Sequence, residues 1–145
     1  MTVIQEGLYL LRNVGSGLLL EVAGGKQRSG AKVRQGPADG TAGQLWRITA
    51  AHPGGGLYHL ESSGSGKRLD VTGARTDNGV PLQLWGPNGF GAQEWLLERH
   101  VDAPDTFNLV SFVSGLTLEI AADGTAQQWE DRDDPAQWWR LEPVR

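Results

Sequence analysis

Apolar and polar residues alternate in short runs along most of this chain. "LYLLRN" (8–13), "LYHLES" (57–62) and "FNLVSF" (107–112) each turn apolar side chains to one side of an extended segment, and a Ser-Gly turn follows each. "LLLEVA", "RLDVTG" and "LTLEIA" read as second strands with an acid near their ends. "AKVRQ", "VPLQLW" and "TAQQW" make third strands, and "QLWRIT", "QEWLLE" and "QWWRLE" fourth ones. Gly-Gly, Asp-Asn-Gly, Pro-Asn-Gly and Asp-Gly clusters punctuate them as turns. No helix is predicted.

The four-run pattern occurs three times. Tyr9, Tyr58 and Phe107 follow one another at intervals of 49, as do Leu20-Glu21-Val22, Leu69-Asp70-Val71 and Leu118-Glu119-Ile120. The Gln-x-Trp triplets Gln44/Trp46 and Gln93/Trp95 keep that interval, whereas Gln137/Trp139 arrives five residues early. Acid to aromatic is fifteen residues from Asp70 to Trp85 but ten from Glu119 to Trp129, so the deletion lies in the loop between them. The chain is therefore read as one domain over 1–145, built from repeats at about 7–50, 56–99 and 105–142. One unit has too few partners to bury both its tyrosine and its tryptophan. Twelve strands should close around a shared axis as a threefold all-β barrel, which removes most sheet edges.

Composition narrows the function. The 145 residues include no cysteine, which excludes disulfides, thiol catalysis and zinc–thiolate sites. A net charge of −4 is the wrong sign for a partner held through phosphates, so no nucleic acid is expected. No stretch approaches the roughly 20 apolar residues needed to span a bilayer, so no membrane insertion is expected. Met1-Thr-Val-Ile-Gln-Glu shows neither a basic region nor an apolar run, and the expectation is a cytoplasmic or non-classically secreted chain. His52, His59 and His100 have no matched nucleophile and no second histidine at metal spacing, so neither an enzyme nor a metal or other cofactor is expected. "EDRDD" (130–134) lacks the spacing of a calcium loop and reads as a solvated acidic loop.

The stretch "LDVTGARTDNGVPLQLWGPNGFGAQEW" (69–95) holds Asp70, Gln83, Trp85 and Gln93 on a turn-rich framework. A pyranose offers vicinal hydroxyls on its edge and C–H groups on one face. An ionised carboxylate accepts two O–H donors strongly, and an indole face packs on the slightly positive C–H patch. A neutral sugar needs no counter-charge and no metal. Asp70 has a second reading, as a brace bonding the backbone of its own turn.

Three Gln-x-Trp units, each with Ser-Gly-x-x-Leu-[Asp/Glu]-[Val/Ile] upstream, resemble the ricin B-type β-trefoil lectins, over residues 7 to 142. The resemblance implies a β-trefoil of twelve strands in three pseudo-threefold repeats. It also implies a carbohydrate-binding lectin whose partners are glycans, of galactose or N-acetylgalactosamine type. In the second repeat it assigns Asp70 as acid, Trp85 as stacking ring, and Gln83 and Gln93 as supporting amides. Ala92 stands where members with a full site have Asn, and Asn88 in the adjacent loop would compensate. In the third repeat the set is Glu119, Gln127, Trp129 and Gln137, with Ala136 at the Asn position and a shortened loop. The first repeat has Glu21, but Arg34 and Gly36 fill the Gln and aromatic positions, so it should be silent and two sites are expected.

Each residue also has a structural reading. The Gln-x-Trp glutamines should bond backbone in their turns, and Trp46, Trp95 and Trp139 should be core. Trp85 and Trp129, absent from the first repeat, serve either stacking or local packing. Trp138, beside Trp139, is read either as an exposed contact surface through which copies would associate, or as half-covered by the C-terminal tail. The alternative function is a protein-binding trefoil, such as a protease inhibitor or interaction module.

Overall fold

The computed structural model describes residues 4–144; Met1 to Val3, part of the stretch read for a leader, and Arg145 lie outside the described residues. The strands are β1 Gly7–Asn13, β2 Leu19–Val22, β3 Val33–Gly36, β4 Trp46–Ala50, β5 Leu57–Ser62, β6 Arg68–Val71, β7 Leu82–Trp85, β8 Trp95–Arg99, β9 Thr106–Ser111, β10 Thr117–Ile120, β11 Ala126–Trp129 and β12 Trp139–Pro143. Six of them close a ring: β1 pairs β4, β4 pairs β5, β5 pairs β8, β8 pairs β9, β9 pairs β12, and β12 returns to β1. Every pairing is antiparallel. The other six form three hairpins, β2–β3, β6–β7 and β10–β11, outside the barrel. This is a β-trefoil of twelve strands, with each repeat giving two strands to the barrel and one hairpin.

The hairpins meet about the pseudo-threefold axis. Single antiparallel bridges join Lys32 to Gln83, Arg34 to Thr125 and Pro81 to Gln127, so β3, β7 and β11 touch pairwise. Beneath them Trp46, Trp95 and Trp139 are fully buried. Each indole N–H donates to the carbonyl of the leucine before the acid: Leu20 at 3.0 Å, Leu69 at 3.1 Å and Leu118 at 3.1 Å. A buried polar group costs stability unless it is bonded, so this repeated bond lets a tryptophan fill the core of each repeat. Leu11, Leu60 and Leu109 from the barrel and Leu20, Leu69 and Leu118 from the hairpins complete the same core.

No α-helix interrupts the described residues; the helical pieces are three-residue 3₁₀ turns, and none is long and apolar enough to cross a membrane. Three of these turns, Ala42–Gln44, Gly91–Gln93 and Pro135–Gln137, end on the glutamine of Gln-x-Trp. The fourth strands accordingly begin at the tryptophan, two residues later than the alternation predicts. The cause is local: the glutamine side chain holds the preceding loop, so its backbone turns before the ladder begins.

The five-residue deletion also falls where the spacing places it. Between β6 and β7 the chain makes a 3₁₀ turn at Thr72–Ala74, with Gly73 at φ 65° and Ala74 at φ 54°. The first repeat has the equivalent turn at Ala23–Gly25. The shorter segment between Ile120 and Ala126 has none.

Candidate functional site

One arrangement recurs in all three repeats, around the buried glutamines Gln44, Gln93 and Gln137. Each side-chain oxygen accepts the backbone N–H five residues upstream: Asp39 at 3.0 Å, Asn88 at 3.1 Å and Arg132 at 2.9 Å. Each amide nitrogen donates once to a loop carbonyl, that of Pro37, Gly86 or Glu130. Its second proton goes to the acid: Glu21 at 2.9 Å, Asp70 at 3.1 Å and Glu119 at 3.0 Å. Both amide protons are thereby used. Gln93 and Gln137 have no surface left for a ligand, and they act by fixing the acid and the loop that follows the aromatic.

The second repeat keeps its pocket open. Gln83, paired with Asp70 across β6–β7, donates its amide to Asp70 Oδ1 at 3.2 Å. The two glutamines thus spend one acceptor position on each oxygen, leaving the carboxylate half its capacity. Asp70 is the acid of a cleft of about 450 Å³ whose lining includes Gln83, Trp85, Asn88, Phe90 and Ala92. The turn Thr72–Ala74 forms its far wall. Burial pushes the Asp70 carboxyl above its usual range, and the bonds from Gln83 and Gln93 pull it partly back. Trp85 is 45% exposed, so its ring is not spent on the core. Asn88 caps its own loop, its Oδ1 accepting the Phe90 N–H at 3.0 Å, which leaves the side-chain NH₂ for other partners. The loop is backed by Arg68, which reaches the Asn88 carbonyl at 3.4 Å and pairs with Glu61 at 3.1 Å.

The third repeat brings Glu119, Gln127, Trp129 and Gln137 together in the same way, with Gln127 donating to Glu119 Oε2 at 2.6 Å. It also brings in Arg132. That guanidinium donates to Glu119 Oε1 at 2.7 Å, and its carbon stands 4.9 Å from the centre of the Trp129 ring. In the first repeat, Arg34 Nε lies 2.8 Å from Glu21 Oε2. A Cβ built on Gly36 would come within 2.4 Å of the Glu21 carboxyl carbon, so the acid leans into the space an aromatic would need.

Phe90, 71% exposed and part of the cleft wall, escapes the sequence reading because it directly follows a Gly-Pro-Asn-Gly turn where nothing is periodic. Arg132 escapes it inside an acidic run, although counting back five residues from each Gln-x-Trp glutamine sets it level with Asn88. Asp131 and Asp134 of that run cap the Asp133 and Ala136 N–H groups, and no metal-binding cluster of acidic, His or Cys residues occurs among the described residues. Trp138 is half-buried, with the His100 ring edge-on at 5.3 Å. A larger cleft, about 560 Å³, opens beside Tyr9, Arg99 and Phe107. Arg99 is already stacked on Phe107 there, and Asp105 stands 3.7 Å from Arg140. It therefore has no acid beside a free ring.

The family model for ricin-type β-trefoil lectin-like domains matches residues 2–85, more than half of the chain. The chain belongs to this family. No curated protein matches the sequence of this ricin-type trefoil. Among solved structures, the trefoil superposes on the designed threefold symmetric protein ThreeFoil with a TM-score of 0.89 and 30% identity, covering 95% of this chain and 99% of that one. It matches an exo-β-1,3-galactanase from Clostridium thermocellum with a TM-score of 0.88 and 26% identity, over 99% of this chain but only 31% of the enzyme. The ricin B-like lectin of Macrolepiota procera, solved with lactose, shares the fold at a TM-score of 0.81 and 19% identity, covering 99% of this chain and 100% of that one.

Proposed function

We propose that this trefoil is a non-catalytic lectin that binds neutral glycans of the galactose or N-acetylgalactosamine type in the pocket of its second repeat. One observation carries the reading: Asp70 keeps acceptor capacity on both oxygens at the base of a cleft walled by an exposed tryptophan. Two vicinal hydroxyls donate to the carboxylate while the sugar's C–H face rests on Trp85. Gln83 presents its free carbonyl, and Asn88 its free NH₂, to further hydroxyls. Phe90 and Ala92 are apolar where a further polar contact would otherwise form, which suits the methyl of an acetamido group. Membership in a lectin family supports the reading, as does the lactose bound by the Macrolepiota procera protein.

The test is retention on galactose- and N-acetylgalactosamine-agarose with elution by free sugar, followed by calorimetry on Asp70→Ala. Charge-assisted bonds are worth about 1.5–3 kcal/mol, and a millimolar site has only about 4 kcal/mol in total. The variant should therefore fold and fail to bind. The Asp70 carboxylate is bonded by Gln83 and Gln93 and not by the backbone of its own turn, so unchanged affinity with a lowered Tm would instead make it a structural anchor for those two amides.

A further inference from the structure

We infer that Arg132 is an internal ligand that closes the third pocket, so that the residue five positions before the Gln-x-Trp glutamine decides whether the second and third repeats of the lectin are open. The inference rests on the sugar-binding reading above and concerns its valency.

The third repeat has the acid, the two glutamines and the ring that the second brings to its pocket, but its acid and ring are not free. Glu119 is held by Gln127 and Gln137 as Asp70 is held by Gln83 and Gln93. Trp129 sits opposite Thr117 in β10–β11 just as Trp85 sits opposite Arg68 in β6–β7. Besides the shortened loop and the longer acid, what differs is the side chain at one aligned loop position. Asp39, Asn88 and Arg132 all give their backbone N–H to the buried glutamine, so their α-carbons occupy equivalent places. Asp39 and Asn88 are short and accept an N–H two residues on, from Thr41 and Phe90, which keeps them on their own loops. Arginine has no acceptor and cannot make that cap. Its loop is capped by Asp131 and Asp134 instead, and the guanidinium is released toward the acid.

There it makes the two contacts a sugar would make. One N–H donates to Glu119 Oε1 at 2.7 Å, where a hydroxyl would donate. The planar cation lies over the Trp129 ring at 4.9 Å, where a pyranose face would stack. The five-residue deletion removes the third repeat's counterpart of the Thr72–Ala74 wall, which lines the second repeat's cleft. A sugar entering the third pocket must first displace a bonded cation. Its apparent affinity falls by the cost of that displacement, as for any competing occupant.

The experiment exchanges the two loop residues. Calorimetric titration with N-acetylgalactosamine and with lactose should give one site per chain for the wild type. Arg132→Asn should give two, with the third pocket's affinity raised at least tenfold. Asn88→Arg should give none, and the double exchange should move the single site to the third pocket, where Trp129→Ala then abolishes it. Without any sugar, the Arg132 Nε–H NMR signal should be shifted by the indole ring current and should return to the ordinary arginine position in Trp129→Ala. Two sites in the wild type, or a single unchanged site in a folded Arg132→Asn variant, overturns the inference while leaving the lectin reading intact. Failure of every form to bind either sugar overturns both.

Discussion

Gln93 Nε2 stands 3.1 Å from Asp70 Oδ2, and the same amide joins the Gly86 carbonyl and the Asn88 N–H into one bonded unit. The acid and the loop across the pocket are therefore positioned by one buried side chain. Gln93→Ala strands a buried N–H, a carbonyl and one carboxylate oxygen together. Unsatisfied buried groups cost about 1–3 kcal/mol each, and some will recover water. Tm should fall by several degrees, and sugar affinity should drop although Gln93 touches no ligand. Thermal melts and titration at a temperature well below the new Tm separate the two effects.

Acid should silence the pocket before it unfolds the protein. Burial raises the Asp70 pKa above 3.8, and only the ionised form accepts two hydroxyls. Binding should be lost as pH falls through that raised value, above the ordinary carboxylate range. For stability the sign is opposite to that of a paired acid: folded Asp70 binds its proton more readily than the unfolded chain does. Its contribution is thus greatest at low pH and declines as pH rises from about 3.8 through the raised value. Asp39 and Asp123, lowered by bonds from Thr41 and Thr125, keep their stabilising effect until pH falls below 3.8. Trp85 fluorescence titrated with sugar, set against circular dichroism over the same pH range, should show two separate transitions.

The acid, the amides and the ring of the second pocket are legible in the sequence because each recurs, or fails to recur, at a fixed interval. The Gln-x-Trp tryptophan persists, as Trp46, in the repeat that lacks a ring to stack on, which marks it and its counterparts Trp95 and Trp139 as core. Phe90 and Arg132 carry no such mark. Their importance depends on where a side chain goes once it leaves a loop, and an exposed phenyl or a charge within "EDRDD" looks like ordinary surface. The division of labour among the glutamines was half visible: backbone bonding follows from their repetition, but the complete use of Gln93's amide depends on distances.

Ala74 sits at φ 54°, where the equivalent first-repeat residue is Gly25 at φ 64°. A residue with a Cβ pays about 1–2 kcal/mol in this region, partly offset by the greater chain entropy that glycine loses on folding. Ala74→Gly should raise stability by about 0.5–1 kcal/mol. Differential scanning calorimetry would register this as a Tm a few degrees higher.

The first repeat should resist conversion to a sugar site by one change. A side chain at Gly36 drives the Glu21 carboxylate off Arg34 and Gln44, because its Cβ alone lies 2.4–2.5 Å from the carboxylate atoms. Gly36→Ala should cost about 1–3 kcal/mol, because moving the Glu21 carboxylate leaves the buried Gln44 amide short of a partner. Gly36→Trp should lower Tm and add no site. Joint replacement with Glu21→Asp and Arg34→Gln, which copies the second repeat, should recover the Tm. Denaturant melts and calorimetric stoichiometry check both.

The bridges around the axis have a consequence for how such a domain can be divided. The backbone of Gln83 pairs with Lys32 of the preceding repeat, and that of Gln127 pairs with Pro81, while their side chains hold Asp70 and Glu119. The Leu84 N–H and carbonyl likewise bond to Ala31 and Gly30 at 2.9 and 2.7 Å. Each of these acid-holding amides is thus hung on a neighbour's edge. A fragment spanning 56–99 contains every side chain of the second pocket and lacks the strand that steadies it. Such a peptide would regain recognition only by self-associating in threes, with each copy lending its β3-like edge to the next.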